Sequence, residues 1–283
     1  VRQHAETSRL LGVSFVPVYA TSRNAPAGVK QAEPHEDAPR PAPASEQPTP
    51  AVHATDPISF APEAPRTFAS IDIKPSVRNK TDVQAALDKL RARYIEDAPH
   101  KHFVTAFNNI VFGEGDPLAR LMFVGEAPGV EEDKTGRPFV GRAGQLLNKM
   151  ITAMGLQREQ VYIANVLKTR PPDNATPTND EIRLCAPYLF QQISIIRPEA
   201  IVTLGLPATK ALLDTVDSMS RLRGRWASFN PPGLDGPIPV MPTYHPAFLL
   251  RSYTDENRAK VWSDLKQVMD RLGLAVDRAK TPK

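Results

Sequence analysis

The sequence is poor in cysteine and in long hydrophobic runs, and each shortage excludes a class of protein. Cys185 is the single cysteine among 283 residues. The chain therefore cannot form an internal disulfide framework, nor a zinc or iron–sulfur site made only from its own thiolates. No run of about 18 apolar residues is present, so no transmembrane helix is predicted. The first twenty residues lack the continuous apolar segment of a secretory signal, and we expect a cytoplasmic protein.

The chain also lacks a strong excess of charge of either sign. Lys and Arg number 35 against 31 Asp and Glu, which gives a net charge of +4. Residues 1–75 carry 7 basic and 8 acidic side chains, so the remainder has a net charge of +5. A mildly basic balance permits a polyanionic partner without requiring one. Any surface that attracts anions is expected in the C-terminal three quarters of the chain.

Proline is concentrated near the start, where 11 of the 29 prolines precede residue 66. A Pro-, Ala- and Glu-rich segment buries too little apolar surface to offset its ordering entropy, so residues 23–75 are predicted to be a disordered linker. Residues 76–283 are predicted to form the folded domain. Residues 1–22 are either a short, partly ordered tail or a peptide that docks on a partner protein. The docking alternative is based on an apolar cluster of Leu10, Leu11, Val13, Phe15 and Val16.

Helical and strand patterns alternate through the rest of the chain, and the strands are apolar on both faces. This arrangement is typical of a three-layer α/β/α fold with a central parallel four-stranded sheet. The strands are predicted over Leu121–Val124, Val161–Val166, Ala200–Leu204 and Val240–Thr243. Helices are predicted over Thr81–Tyr94, over Ala143–Met154, from a capping box at Thr178 and Glu181, in a short segment that ends near Leu213, and over Asp255–Leu272.

Ligand sites in parallel sheets lie beyond the carboxyl ends of the strands, which directs attention to three loops. Gly125–Gly141 matches neither a P-loop nor a dinucleotide fingerprint, and by itself it indicates a small-molecule pocket or a solvated turn. The second loop follows Asn165, whose amide suits the edge of a nucleobase although such residues are common in turns. The third loop begins at His245, a residue type that is often structural.

Three motifs in these loops resemble family 4 uracil-DNA glycosylases. They are the GEAPG, EDKTGRPFVG and AGQLL run, the N-x-x-K-x-RPP and N-x-TPT run, and the HPAFLLR run. The resemblance extends from about Ile110 to Arg251, with the motifs in the family's order and spacing. It implies the uracil-DNA glycosylase-like fold. It also implies a monofunctional hydrolase that flips uracil out of DNA, cleaves its N-glycosidic bond and leaves an abasic site for base-excision repair.

The resemblance also assigns residues to the binding of the base. Phe139 would stack on the flipped uracil, and Asn165 would pair with its N3–H and O4. Glu132 would lie against uracil C5 and exclude the methyl group of thymine. Gly125 and Ala127 complete the base-binding positions, and Ala127 stands where family 1 enzymes carry a water-activating aspartate.

Further positions are assigned to catalysis and to DNA. His245 would stabilise negative charge on uracil O2. Glu126 would polarise the attacking water or stabilise the cationic sugar, and Asn174 would help to hold the water. Three basic residues would contact phosphates, and one of two apolar residues would wedge into the gap left by the flipped base. The basic residues are Lys168, Arg170 and Arg251, and the apolar pair is Phe248 and Leu249.

The sequence departs from the family at its iron–sulfur site. Family 4 members hold a [4Fe–4S] cluster on four cysteines, whereas only Cys185 remains here. Thr169 occupies the second-loop position, and no cysteine lies near Ala98–Lys101. One thiolate cannot hold a cluster, so we expect no iron–sulfur centre and no other cofactor.

The residues around the vacated cysteine positions give little reason to expect a replacement metal. His100 and His102 with one distant cysteine make a weak ligand set. We expect Phe103, Phe107 and neighbouring apolar groups to fill the space instead. Residues 166–180 contain no histidine, so the covalent DNA trap of uracil-crosslinking relatives is not expected.

Taken together, the sequence predicts a monomeric uracil-DNA glycosylase whose partner is uracil-containing DNA. Two alternatives stay open. One is a uracil- or DNA-binding module of the same fold in which catalysis was weakened when the cluster was lost. The other, more distant, is a small-molecule α/β enzyme with a nucleotide substrate.

Overall fold

The computed structural model describes residues 78–274. The tail at 1–22, for which docking on a partner is one of two alternatives, and the predicted linker at 23–75 lie outside the described residues. Six strands and eight α-helices are present within 78–274. None of these helices combines the length and the apolar character needed to cross a bilayer.

The strands form one mixed six-stranded sheet. In chain order they are β1 (Glu114–Gly115), β2 (Leu121–Gly125), β3 (Tyr162–Asn165), β4 (Ala200–Leu204), β5 (Ala227–Phe229) and β6 (Ile238–Thr243). Their spatial order is β1-β3-β2-β4-β6-β5, in which the inner four strands are parallel and the two edge strands antiparallel. The predicted four-stranded parallel sheet is confirmed as the centre of a larger mixed sheet. The two edge strands were missed because segments of two and three residues are too short to show a strand period.

The helices cover both faces of the sheet and complete the predicted three-layer fold. They are α1 (Lys80–Asp97), α2 (Val130–Thr135), α3 (Arg142–Ala153), α4 (Asn179–Ile196), α5 (Leu206–Leu213), α6 (Met219–Leu222), α7 (Pro246–Arg251) and α8 (Asp255–Leu272). Short 3₁₀ helices lie at Pro99–His102, Arg158–Gln160 and Pro172–Asn174.

Alternate residues of β2 divide the core into two layers. Met122 and Val124 belong to a cluster with α1, α4 and α5, whereas Leu121 and Phe123 belong to a second cluster with α3 and α8. Successive side chains of a strand point to opposite faces, so a strand that is apolar at every position is buried on both sides.

Local sequence signals explain where the long helices begin. The Thr178 hydroxyl accepts a hydrogen bond from the Glu181 amide, and the Glu181 carboxylate accepts one from the Thr178 amide, which confirms the predicted capping box of α4. Helix α1 begins one residue before the prediction because the Asn79 side chain caps it by accepting from the Asp82 amide at 2.9 Å. It also extends three residues beyond the predicted end.

The topology brings the carboxyl ends of the inner strands to one edge of the sheet. Gly125 at the end of β2 is in register with Asn165 at the end of β3, and Leu204 at the end of β4 is in register with Thr243 at the end of β6. The loops that follow β2, β3 and β6 therefore leave the same edge of the sheet, with the end of β4 between those of β2 and β6. They are the three loops that the sequence selects.

Candidate active site

Side chains from the three loops lie together at this edge of the sheet. A Cβ atom placed on Gly125 would lie 2.4 Å from Asn165 Oδ1 and 2.5 Å from Phe139 Cζ. The centroids of the Phe139 and His245 rings are 5.6 Å apart. Phe139, Asn165 and His245 therefore line one site and not separate cavities.

Asn165 presents a buried amide with no protein partner. Its side chain is only 1% exposed, and neither Oδ1 nor Nδ2 makes a hydrogen bond to any of residues 78–274. A buried polar group without a partner costs about 1–3 kcal/mol, so such groups are rare in native proteins. The amide carries a donor and an acceptor side by side, and both are available to a ligand that enters the site.

Phe139 is held in an unusual backbone conformation. Its φ angle of 50° lies in the left-handed region that bulky residues seldom adopt. One carboxylate oxygen of Glu132 accepts hydrogen bonds from the amides of Val140 and Gly141, each at 2.8 Å. The Arg158 guanidinium donates to the Phe139 carbonyl at 3.1 Å. These contacts fix the loop that carries the ring, as a strained functional residue requires.

Two residues that support Phe139 were not singled out from the sequence. A Cβ atom on Gly144 would lie 1.9 Å from the Phe139 carbonyl oxygen, so only glycine allows helix α3 to approach this loop. Arg158 also pairs with Glu114 at 2.6 Å. Gly144 lies in the AGQLL motif and could have been found there, whereas Arg158 lies outside every motif.

The surroundings of His245 define its protonation state. The backbone N–H of Ala247 donates to Nδ1 at 3.0 Å, so the proton of the neutral imidazole is on Nε2. Burial, reinforced by the charge of Arg251 and opposed by that of Glu132, lowers the pKa of His245 to about 4. His245 is therefore neutral at pH 7 and offers one N–H donor.

Glu126 and Arg251 are electrostatic neighbours beside this group. The Glu126 side chain is partly buried, and burial raises its pKa whereas the charge of Arg251 lowers it. Arg251 is exposed at the end of α7. Ala127 packs against the core and carries no polar group. The carboxyl group of Glu126, directly after β2, therefore has a raised pKa.

Two of the predicted DNA contacts are wrong. Lys168 is completely buried, and its ammonium group donates to the Asn165 carbonyl at 2.7 Å and to the Gln192 side chain at 2.5 Å. It cannot reach a phosphate from that position. Leu249 is 1% exposed and packs into the core layer of α3 and α8, so it cannot wedge into DNA.

Like Arg251, the other residues predicted to contact DNA or water are at least partly exposed to solvent. Arg170 is partly buried, and its Nε donates to the Asn174 side chain at 2.8 Å. This bond holds the amide oxygen of Asn174, an exposed residue with a left-handed φ of 52°. Phe248 is partly exposed, with its ring centroid 4.7 Å from that of Tyr244. Asn174 makes no contact with Asn165 among the described hydrogen bonds.

The residues at the expected cluster positions do not fit an iron–sulfur cluster. Cys185 and Thr169 are both buried, and the Tyr94 hydroxyl lies next to them. Burial raises the pKa of the Cys185 thiol to about 12, so it is protonated at neutral pH. A cluster needs several thiolates, whereas this set offers one thiol and two hydroxyl groups.

Aromatic rings fill the region around Cys185. Tyr94 stacks on His100 at 5.5 Å and packs edge-on against Tyr188 at 5.0 Å, and Phe107 packs edge-on against His100 at 4.8 Å. Phe103 packs against the core cluster to which Cys185 belongs, whereas the ring contact of Phe107 is with His100, so its filling of this space stays a prediction. The ring whose hydroxyl lies beside Cys185 is that of Tyr94. No group of three or more His, Cys, Asp or Glu residues within 78–274 could hold a metal ion.

Comparisons with a family model and with known proteins indicate the same family. The model of the uracil DNA glycosylase superfamily matches residues 112–266, which include every predicted site residue. The chain is 48% identical over 160 residues to a type-4 uracil-DNA glycosylase of Thermotoga maritima, which covers 56% of this chain and 81% of that relative.

Other relatives carry related names. A type-4 uracil-DNA glycosylase of Sulfurisphaera tokodaii is 48% identical over 167 residues, covering 57% of this chain and 74% of the relative. A type-5 uracil-DNA glycosylase of Pyrobaculum aerophilum is 32% identical over 148 residues, covering 47% and 63% respectively. The superfamily match over residues 112–266 falls on the domain that contains the loops described above.

Proposed function

The chain belongs to the uracil DNA glycosylase superfamily, and we propose that it flips uracil out of DNA and hydrolyses the N-glycosidic bond. The products are free uracil and an abasic site. The superfamily match and the type-4 relatives support this activity, and no observation favours a binding module without catalysis. Its nucleic-acid partner is uracil-containing DNA.

The unpaired amide of Asn165 is the observation that carries the proposal. Uracil offers an N3–H donor and an O4 acceptor, which complement Oδ1 and Nδ2 of this buried side chain. Cytosine presents an acceptor and a donor in the reverse order. A site that leaves its own buried polar groups unpaired with the wrong base rejects that base strongly. The Phe139 ring, next to the same amide, stacks on the flat pyrimidine.

His245 stabilises the departing base. Uracil leaves with negative charge that includes O2, and the neutral imidazole donates its Nε2–H to that oxygen. A donor held in place before the reaction needs no reorganisation as the charge develops. The Ala247 amide fixes the tautomer, and the lowered pKa excludes a competing imidazolium at neutral pH.

The carboxylate of Glu126 acts on the other reacting group. As the glycosidic bond breaks, positive charge develops on the deoxyribose, a water molecule adds its hydroxyl group to C1′, and the proton of that water neutralises the departing uracil anion. Glu126 stabilises the cationic sugar or polarises that water, and Asn174 helps to hold the water. Arg251, whose charge acts on Glu126, contacts a phosphate.

The remaining assignments follow the same logic. Glu132 lies beside the loop of Phe139 and excludes the methyl group of thymine at C5, while it also anchors that loop. Arg170 contacts a phosphate, and Phe248 wedges into the stack. We propose that excision needs no iron–sulfur cluster, because the residues at the expected positions do not fit one. The monomeric state, the cytoplasmic location and the N-terminal partner stay predictions.

Excision from a labelled oligonucleotide with one uracil tests the proposal. The purified protein should release uracil without added iron, and its visible absorbance should show no cluster band. Asn165→Asp should lower the single-turnover rate by about 100-fold or more, since it replaces the Nδ2 donor by an oxygen. Asn230→Asp, at an exposed position outside the site, is the matched control and should retain the full rate.

The outcomes separate the assignments. A protein that binds uracil-containing DNA but releases no uracil would overturn the hydrolytic function and favour a binding module. Equal rates for Asn165→Asp and Asn230→Asp would overturn the base-recognition site while leaving the function intact. A cluster band in an active protein would refute cofactor independence alone.

A further inference from the structure

Lys168 is a buried cation that the proposed chemistry does not use. Its side chain is 0% exposed, although lysine is almost never fully buried unless it has partners. The sequence places it three residues after Asn165, in the loop at the carboxyl edge of the sheet. Its burial raises the question of what the ammonium group holds.

One of the hydrogen-bond acceptors around Lys168 belongs to Asn165, the residue proposed to recognise uracil. Strand β1 pairs with β3 only at Tyr162 and Ile163, and thus stops short of Asn165. Lys168 reaches back and donates to the Asn165 main-chain carbonyl at 2.7 Å. It also donates to the Gln192 side-chain oxygen at 2.5 Å, and it lies 5.3 Å from the centre of the Phe112 ring.

Gln192 extends the same network into the scaffold. This residue of α4 is fully buried, and its side-chain N–H donates to the Phe112 carbonyl at 2.9 Å. The Lys168 carbonyl in turn accepts from the Val111 amide at 2.8 Å. The end of β3 is therefore fixed to a long helix and to the segment before β1.

Packing alone does not explain a lysine here. Burial of an ammonium group is costly, and an apolar residue of similar length would fill the same volume without that penalty. Burial lowers the pKa of Lys168 to about 7, against the opposing influence of Cys185. What lysine adds to an apolar side chain is a set of N–H donors, and one of them binds Asn165.

We propose that Lys168 is a positioning residue that holds the main chain of Asn165, so that the side-chain amide faces the uracil edge. This inference rests on the proposed glycosylase function. Lys168 touches neither the base nor the sugar and acts through Asn165. Loss of its donor lets the end of β3 shift, and the amide then loses its alignment with N3–H and O4.

A double-mutant cycle tests this role. Lys168→Met should lower the single-turnover rate by about tenfold, the loss expected for one hydrogen bond. KM should change little, because DNA backbone contacts are intact, and inhibition by free uracil should weaken by a similar factor. In an Asn165→Ala background, Lys168→Met should change the residual rate by less than about twofold, since coupled residues are not additive.

The control and a second variant keep the test decisive. Lys89→Met removes an exposed lysine of α1 and should have no effect in either background. If Lys168→Met does not fold, Gln192→Leu removes the other acceptor and should show the same non-additivity with Asn165→Ala at a smaller size.

Equal losses in both backgrounds, or no loss in the wild-type background, would overturn the inference. A wild-type protein that excises no uracil would instead overturn the proposed function.

Discussion

Gly125→Ala tests whether the space between Asn165 and Phe139 is the base-binding slot. The added Cβ would lie 2.4 Å from Asn165 Oδ1 and 2.5 Å from Phe139 Cζ, well inside the van der Waals contact distance. Gly125 is not among the residues with positive φ, so alanine is compatible with the backbone. The methyl group must displace the amide or the ring, and it also occupies the volume between them.

The size of the effect follows from this displacement. Restoring ordinary contact requires a movement of about 1 Å, and a misplacement of that size costs about 100-fold in rate. Overpacking costs about 1–3 kcal/mol of stability, which is less than the total stability of an ordinary domain. Gly125→Ala should therefore fold, with excision lowered about 100-fold and inhibition by free uracil lost.

Single-turnover excision and urea unfolding, measured on the same preparations, separate the two effects. Gly233→Ala is the matched control, because no atom lies within 4 Å of the added Cβ but its φ of +72° makes alanine strained. It should lose about 1–3 kcal/mol of stability and retain the full excision rate. If Gly125→Ala excises uracil at the wild-type rate, the slot between Asn165 and Phe139 does not bind the base.

Three further predictions concern the other side chains of the site. Because burial raises the pKa of Glu126, the excision rate should fall as acidic pH protonates its carboxylate. Glu126→Gln should excise uracil more slowly, and its rate should no longer fall on the acidic side of the pH profile. An unchanged acidic side of that profile would exclude the catalytic role of Glu126. The pKa of His245 is lowered to about 4 from an ordinary 6.5, so the folded state binds fewer protons between these values. The free energy of unfolding should therefore decrease as pH falls through that window. In urea titrations, His245→Gln should make the free energy of unfolding depend less on pH between these values. The same pH dependence in the variant and the wild type would contradict the lowered pKa of His245. Phe248→Ala should slow excision from duplex DNA more than excision from single strands. Leu249→Ala, at a buried position, should instead lower the free energy of unfolding by about 2–5 kcal/mol. A selective loss of duplex excision in Leu249→Ala, but not in Phe248→Ala, would show that Leu249 is the wedge.

The contrast between Lys168 and Arg170 shows where sequence reasoning reached its limit. Both residues lie in the KTRPP motif and look equally suited to phosphates. Lys168 is buried because Gln192, from a helix that begins after the loop, supplies a side-chain acceptor, and this pairing is not visible in the local pattern. The same holds for Phe248 and Leu249, adjacent residues of one short helix, of which Leu249 is buried in the core whereas Phe248 is partly exposed.

The filling of the region around Cys185 was also only partly predictable. The sequence excludes a four-thiolate cluster by counting cysteines, since composition alone decides that question. Tyr94, the central ring of the region, belongs to α1, a helix far from the family motifs. Its position depends on how α1 packs against α4, which no local pattern specifies.

The sequence by itself determined the order of the four parallel strands and of the longer helices, the three loops and the family, because periodicity, caps and motif spacing are properties of neighbouring residues. Only the tertiary structure decided which side chains face the site and which face the core. That choice depends on contacts between segments distant in the chain: the register of Gly125 with Asn165, the reach of Lys168 to Gln192, and the closeness of the Phe139 and His245 rings. A one-dimensional pattern records which groups are present, whereas burial and pairing depend on which groups the fold brings together.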